Sequence, residues 1–319
     1  MKAFGVYILL FVCLGFKAQQ TVMFTQYTFN KAGMNPAASG TEIDQTYYYA
    51  FGGARQWVGM ENAPQQNFLN FSYTIRPPRS YRFWQNVGVY VENDNSTLIG
   101  YDGYYGSYSI HFLLHKKMVV SFGIMAGMRN FSRTVGLYDP NDPVLKNSAN
   151  QLFLYPDLIP GFRLSDKHFF MDVAMRQISI SKLRDFKGRK IGGPMQLLPT
   201  LYVDYGRKIP INDMLMMMPS VAMNMPVLSP PLIDANVMFY YANRVGAGMG
   251  LRNTSFLSGT LQIRFFKSLT AGFSYSYPVN AVRYVTQNSF EVMVGMVPMG
   301  MAAKLSGKHS VAKCPGLSY

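Results

Sequence analysis

Leu257-Ser258-Gly259-Thr260-Leu261-Gln262-Ile263-Arg264-Phe265 decides the fold, because its residues sort by parity. Leu257, Leu261, Ile263 and Phe265 share one face of an extended strand, while Ser258, Thr260, Gln262 and Arg264 share the other. A register shift of one residue puts the arginine into the apolar layer, so the faces are tightly fixed. The pattern recurs along the chain. Val87, Val89 and Val91 alternate with Gly88, Tyr90 and Glu92, and Val245, Ala247, Met249 and Leu251 alternate with Gly246, Gly248, Gly250 and Arg252. Phe290, Val292, Val294 and Met296 alternate with Ser289, Glu291 and Gly295. So many strands of this kind make a sheet too large to bury every apolar face against another protein layer. The predicted fold is all-β, a transmembrane antiparallel β-barrel with lipid on one side of each strand and water on the other.

Residues 1–18 stand apart, with Lys2, an apolar run from Ala3 to Phe16, and Ala18 ahead of Gln19. They resemble a signal peptide cleaved before Gln19, although Phe16 is a poor residue three positions before the cut. The run falls short of the roughly 20 residues a spanning helix needs. Every later hydrophobic run is broken by Gly, Pro, Asn or charge, so a membrane location requires a barrel. Cys13 leaves with the signal and only Cys314 remains, which excludes an intrachain disulfide. Phe11 and Val12 before Cys13 are too large for a lipoprotein signal.

Thirty basic against 16 acidic residues give a net charge of +14. An acidic partner follows, and an exported chain meets lipid headgroups rather than nucleic acid. Lys182, Arg184, Lys187, Arg189 and Lys190 read as a solvated loop that touches anionic lipopolysaccharide.

With Gly, Pro, Asn and charge clusters as punctuation, the count is about 14 strands. They fall near 42–53, 66–76, 83–92, 102–114, 118–129, 153–164, 168–177, 196–208, 214–224, 232–241, 245–252, 257–266, 269–277 and 288–301. Even-numbered connections are tight: Pro77 to Arg82, His115 to Lys117, Ser165 to Lys167, Ile209 to Asp213, Ala242 to Arg244, and Lys267 with Ser268. Odd-numbered ones such as Ala54 to Gln65, Asn130 to Leu152, Ile178 to Met195 and Pro278 to Gln287 are longer, with Asn253 to Phe256 the exception. Short periplasmic turns and long outer loops have this phase in bacterial barrels, and a soluble sandwich has no reason to show it. Tyr47 to Tyr49, Tyr104, Tyr105, Tyr275 and Tyr277 are candidates for the interfacial aromatic girdles.

Two stretches are not explained by periodicity. One is Phe24-Thr25-Gln26-Tyr27-Thr28-Phe29-Asn30 followed by Asn35-Pro36-Ala37-Ala38-Ser39-Gly40, and the other is Arg55-Gln56-Trp57-Val58-Gly59 followed by Pro64. Asn-Pro and Ser-Gly are turn punctuation, and Gln26, Asn30 and Asn35 carry amides suited to tying an irregular segment to a polar barrel interior. These stretches resemble the PorP/SprF family of outer-membrane proteins of the type IX secretion system. That family's mature chain opens with F-S-Q-Y-x-F-N and N-P-A-x-x-G, then carries R-x-Q-W-x-G-x-x-x-x-P. Phe24, Gln26, Tyr27, Phe29, Asn30, Asn35, Pro36, Ala37 and Gly40 fall on the first pattern, and Gln56, Trp57, Gly59 and Pro64 on the second, with Arg55 directly before Gln56. The resemblance continues through Ser121-Phe122-Gly123 with Ala126-Gly127, Gly272 to Tyr277, and Cys314-Pro315. Thr25 replaces a usual serine, and Ser289-Phe290-Glu291 stands where serine-histidine-glutamate is common, so the resemblance carries the fold but not a shared cargo.

The resemblance implies an outer-membrane protein that assists secretion or surface anchoring of a partner adhesin, in a machine that also drives gliding motility, and that contacts periplasmic lipoprotein and ring components. The implied organisation is a signal peptide over 1–18, an N-terminal periplasmic or lumen segment over 19–41, the barrel over 42–302 and a periplasmic tail over 303–319. Cys314 is open between a periplasmic thiol and an ordinary surface residue. No catalytic set, cofactor motif or metal-ligand spacing emerges: His111 and His115 share one side of a strand, and Gly246, Gly248 and Gly250 lack the helix a phosphate cradle needs. The competing function is a passive porin. Tyr90, Met293 and Arg264, bulky and inward, together with the segment from Gln19 to Thr41, point to a plugged lumen instead.

Overall fold

The computed structural model describes residues 24–27, 29–41, 46–60, 63–77, 82–95, 99–114, 118–133, 151–178, 199–227, 229–265, 268–284 and 286–297. The signal region, the loop lysines and arginines between 182 and 190, His115, Cys314 and the tail lie outside them. A one-turn helix α1 (Lys31–Met34) precedes the strands β1 (Tyr47–Arg55), β2 (Gln65–Ile75), β3 (Phe83–Asn95), β4 (Ile99–Leu113), β5 (Val119–Arg133), β6 (Gln151–Ser165), β7 (Phe169–Arg176) and β8 (Thr200–Arg207). They continue as β9 (Ile209–Pro210), β10 (Leu215–Pro226), β11 (Leu232–Tyr241), β12 (Val245–Arg252), β13 (Phe256–Phe265), β14 (Leu269–Pro278) and β15 (Ser289–Met296).

Long strands pair antiparallel in chain order, and β1 closes onto β15 from Tyr49 opposite Met296 to Arg55 opposite Phe290. The result is a closed 14-strand barrel, with β9 a two-residue stub. Closure leaves no edge strand to aggregate. Because β8 ends opposite Ser220, β9 covers Met216 and Met217 lower on the longer β10, and Pro210, having no N–H, ends that ladder. No helix among the described residues is long and apolar enough to cross a membrane; strands do the crossing.

Alternation assigned the faces. On β13, Leu257, Leu261 and Phe265 are exposed outward, and Ser258 and Gln262 are buried inward. Met249 outside and Gly246 and Gly250 inside repeat this on β12. The inward glycines make room for the side chains of Tyr240, Met238 and Asn236, which lie across them from β11. Two girdle candidates need correction: Tyr48 and Tyr105 are on the inner face and buried, whereas Tyr49, Tyr104, Tyr275 and Tyr277 project outward.

The strands β3 to β6 run 13 to 15 residues, beyond the about 9–11 that cross a bilayer. On their outer face Phe51, Leu69, Val91, Tyr104 and Met128 form one in-register row across β1 to β5. The next row upward reads Gly53, Asn67, Asn93, Asp102 and Asn130, with Asn67 hydrogen-bonded to Asn93 and Asn93 to Asp102. The apolar belt ends between these two rows. The connection between β3 and β4 consequently spans only Asn95 to Ile99, far shorter than the strand limits at 92 and 102 implied.

Candidate functional site in the lumen

The core sits inside the barrel, around the N-terminal segment. Phe24, Tyr27, Phe29, Asn30, Lys31, Met34, Asn35 and Ala37 are all at most 2% exposed. Phe24 packs edge-on against Phe68 at 5.2 Å between centroids, in a cluster that also holds Phe29, Tyr90, Tyr105 and Met293. The segment descends from the rim bearing the long loops, where Thr25 meets Ser276 and Arg252, to the opposite rim, where Trp84 Nε1 donates to the Gly40 carbonyl at 2.7 Å.

Each turn of the plug has a local cause. Asn35, in extended backbone, caps a 3-10 turn over Pro36–Ala38 by accepting from the Ala37 N–H at 3.0 Å, with Pro36 at the first turn position where no donor is needed. Asn35 Nδ2 also donates to Asp172 Oδ1 at 2.7 Å and to the Phe162 carbonyl at 2.9 Å, which ties the turn to β6 and β7. Gly40 adopts φ +70°, and any Cβ there collides with Asn86. Asn30 Nδ2 donates to Tyr90 Oη at 3.0 Å. Gln26 behaves differently from expectation: its side-chain amide makes no hydrogen bond among the described residues, and its backbone N–H donates to Glu291 Oε2 at 3.0 Å, beside Thr25 N–H on Oε1 at 2.6 Å. A main-chain contact leaves no mark on side-chain chemistry, so the sequence pointed to the wrong atoms.

The wall is cut to fit the plug. A Cβ on Gly123, Gly161 or Gly272 overlaps Ala37, Asn35 or Gln26 respectively, so these inward glycines provide the groove into which the segment beds. Ionic contacts then hold it. Lys31 Nζ lies 3.5 Å from Asp204 and 3.8 Å from Asp172, and 2.9 Å above the Phe170 ring centroid. Burial lowers the Lys31 ammonium to about 7, against the pull of Asp204. Arg176 Nη1 donates to the Gly33 carbonyl at 2.8 Å while its Nη2 reaches both oxygens of Glu92; Arg129 joins Glu92 at 3.2 Å and Asp157 at 3.0 Å. This network was missed at the sequence level. Its members were visible only as charges at inward positions, Glu92, Arg129, Asp157, Asp172, Arg176 and Asp204, all of them buried, and nothing local said which of them pair.

The second motif lies elsewhere. Arg55 ends β1, and Gln56, Trp57, Gly59 and Pro64 lie in the β1–β2 loop at the long-loop rim, over the junction of β1 with β15. Gln56 N–H donates to the Pro64 carbonyl at 3.0 Å, Trp57 N–H to Ser289 Oγ at 3.2 Å, and Val58 N–H to the Asn288 carbonyl at 2.8 Å. Gly59 has φ +98° with open space around its α-carbon, so conformation rather than crowding requires glycine. The two motifs are therefore not one site: the first fills the lumen and the second pins a surface loop. Glu291 and Ser289, two residues apart on β15, touch one motif each. His111 stacks on Trp84 and hydrogen-bonds Ser109 and Ser121, inside the wall below the plug. Among the described residues no group of side chains is placed to hold a metal.

The sequence model of the type IX secretion system membrane proteins PorP/SprF matches residues 16–296. The chain belongs to that family. The match takes in both motifs and the whole described barrel, and with the fold it indicates an outer-membrane protein. No curated protein matches. Among solved structures, the toluene transporter TbuX of Ralstonia pickettii is similar with a TM-score of 0.53 at 11% identity, over 83% of this chain and 92% of that one. The monoaromatic hydrocarbon channel CymD has a TM-score of 0.53 at 9% identity, over 88% and 94%. At such identities the likeness is one of barrel fold alone.

Proposed function

We propose that this PorP/SprF member is a non-enzymatic accessory barrel of the type IX machine, which assists secretion or surface anchoring of a partner adhesin and contacts periplasmic lipoprotein and ring components. Residues 1–18 act in this reading as a cleaved signal peptide, and the barrel sits in the outer membrane among its lipids and lipopolysaccharide. The observation that supports an accessory role over a porin is the occupied lumen. The segment from Phe24 to Thr41 is buried inside the barrel, bonded to strands around much of its circumference. A solute pore needs an open polar path, and this lumen is filled by aromatic rings and paired charges. The plug instead gives the rim loops a rigid support on which a partner docks. The test is gene deletion: loss of one or a few large adhesins from the cell surface, with other cargo secreted normally, is the expected result. Intact surface display together with impaired nutrient uptake establishes the porin in its place.

A further inference from the structure

The barrel wall is not laddered to the same height all round. β6 pairs with β5 from Gln151 to Ser165, but among the described residues it pairs with β7 only from Gly161 to Ser165. Met175 and Arg176 carry β7 past the last rung, paired with β8 alone, and Gln177 then turns into left-handed backbone at φ +56°. Pro156 and Pro160 account for the break. β6 stays paired with β5 through both prolines, which residues without an N–H allow only if the missing donors fall on the opposite edge. Alternate residues of a strand address the same neighbour, so Leu158 faces that edge too, and its N–H donates to Asp157 Oδ1 at 3.0 Å. Every donor position on the β7 side from Pro156 to Pro160 is thereby removed or capped.

The gap lies within the apolar belt. Pro156 is opposite Met128 in the top row of the belt and Pro160 is opposite Ile124 below it, with Leu158 exposed on the lipid side between them. Lipid cannot satisfy a backbone donor, so an unpaired edge is tolerated at this height where donors are absent or capped. Such an edge also refuses a strand from another chain. The rungs that remain are bridged from the lumen by the plug. Asn35 Nδ2 donates both to the Phe162 carbonyl on β6 and to Asp172 Oδ1 on β7, and Asn35 Oδ1 lies 2.0 Å from where a Cβ on Gly161, the last rung, would stand. Lys31 approaches Asp172 at 3.8 Å, and Arg176 Nη1 donates to the Gly33 carbonyl at 2.8 Å. Arg163 to Asp172 at 2.7 Å is a direct tie across the same rungs.

We propose that the β6–β7 seam is a lateral gate in the wall and that the plug, through Lys31, the Gly33 carbonyl and Asn35, is its latch. With the plug seated, β7 is held against β6. Its withdrawal leaves a short ladder and the Arg163 tie, so β7 parts from β6 and the lumen opens sideways into the outer half of the bilayer, the half on the long-loop side. The plug then does more than fill the pore: its position sets whether the wall is whole.

The test uses the full barrel in lipid nanodiscs, with Cys314→Ser and spin labels on introduced outward cysteines. Phe162→Cys with Val173→Cys reports the seam, and Phe162→Cys with Phe122→Cys reports the β5–β6 ladder on the other edge of the same strand. Both pairs show dipolar broadening with the plug seated, because neighbouring strands lie about 4.8 Å apart. Asn35→Ala with Lys31→Ala abolishes the broadening at the seam and keeps it at the reference pair, with heat-modifiable migration retained. Broadening kept at both pairs, or lost at both, overturns the proposal. Amide hydrogen exchange of the wild type supplies a measurement that no folding failure affects. The Phe162 and Leu164 amides, directed to β7, exchange at least about tenfold faster than those of Arg163 and Ser165, directed to β5. Equal protection of the two sets overturns the gate, and it decides alone if the plug variant does not fold.

Discussion

Glu92 on β3 and Arg176 on β7 are four strands apart around the barrel, yet Arg176 Nη2 lies 3.0 Å from Glu92 Oε2 and 3.1 Å from Oε1. Side chains that far apart along the sheet meet only by reaching through the lumen. The pair is fully buried, and breaking such a pair costs about 3–5 kcal/mol because one charge is left without its partner. Arg176→Ala therefore lowers the temperature of heat-modified gel migration, while Arg176→Ala with Glu92→Gln recovers part of the loss, limited by Arg129, which also needs Glu92.

Occupancy of the lumen makes a prediction about conductance. Wild-type protein in planar bilayers passes no steady current. Gly123→Leu, which drives a side chain into the space of Ala37, leaves the β5 ladder intact but unseats the plug, and discrete channel openings follow. Steady current through wild type, or none through this variant despite protease access to the N-terminal segment, contradicts the plug as a seal.

Lys31 gives the seated plug a pH dependence. Its ammonium is lowered to about 7 in the barrel, against about 10.4 in a released segment, so the released state holds more protons between those values. Stability of the seated plug therefore rises as pH increases from about 7 toward 10, and Lys31→Met abolishes that slope. Lys31→Met also leaves Asp204, 3.5 Å from the ammonium in the wild type, facing an apolar side chain, and Asp204→Asn offsets the loss that this causes. Heat-modification midpoints of the single and double variants at two pH values check both statements.

The strand faces are tested by charge insertion. Leu261→Arg places a charge on the lipid side at mid-strand, which costs about 2–4 kcal/mol near the bilayer midplane, and assembly fails. The matched inward site is Thr260, half-buried with a hydrogen bond to Ser274, rather than Gln262, which is 1% exposed and hydrogen-bonded to Tyr240. Thr260→Arg assembles; equal behaviour of the two variants refutes the face assignment.

The faces were legible in the sequence because a strand's period is two and lipid tolerates no charge, so Ile263 and Arg264 had only one consistent arrangement. Strand ends were less so. Asn93, Asp94 and Asn95 look like turn punctuation, yet β3 continues through them because a ladder needs only main-chain groups, and beyond the apolar belt water accepts polar side chains on the outer face. Tyr48 and Tyr105 looked like girdle residues because composition does not reveal on which side a tyrosine falls. The lumen network was illegible for a different reason: Glu92 and Arg176 are separated by most of the early barrel, and no local pattern brings them together.

The two family motifs, finally, separate plug from surface. Phe24→Ala removes a ring buried in the lumen core, a change that costs about 3–5 kcal/mol, so it loosens the plug and lowers heat-modification and display together. Trp57 sits half-exposed at the rim with φ +50°, a left-handed backbone that stores about 1 kcal/mol or more and is held by Ser289 on one side and Met60 on the other. Its side chain is not part of the lumen core, so Trp57→Ala leaves heat-modification and the closed pore unchanged. If the rim loop is where the adhesin or its carrier docks, the same variant reduces surface display several-fold, read by antibody labelling of intact cells. Normal display in Trp57→Ala with lost display in Phe24→Ala assigns function to the plug alone and removes the rim loop from the docking surface.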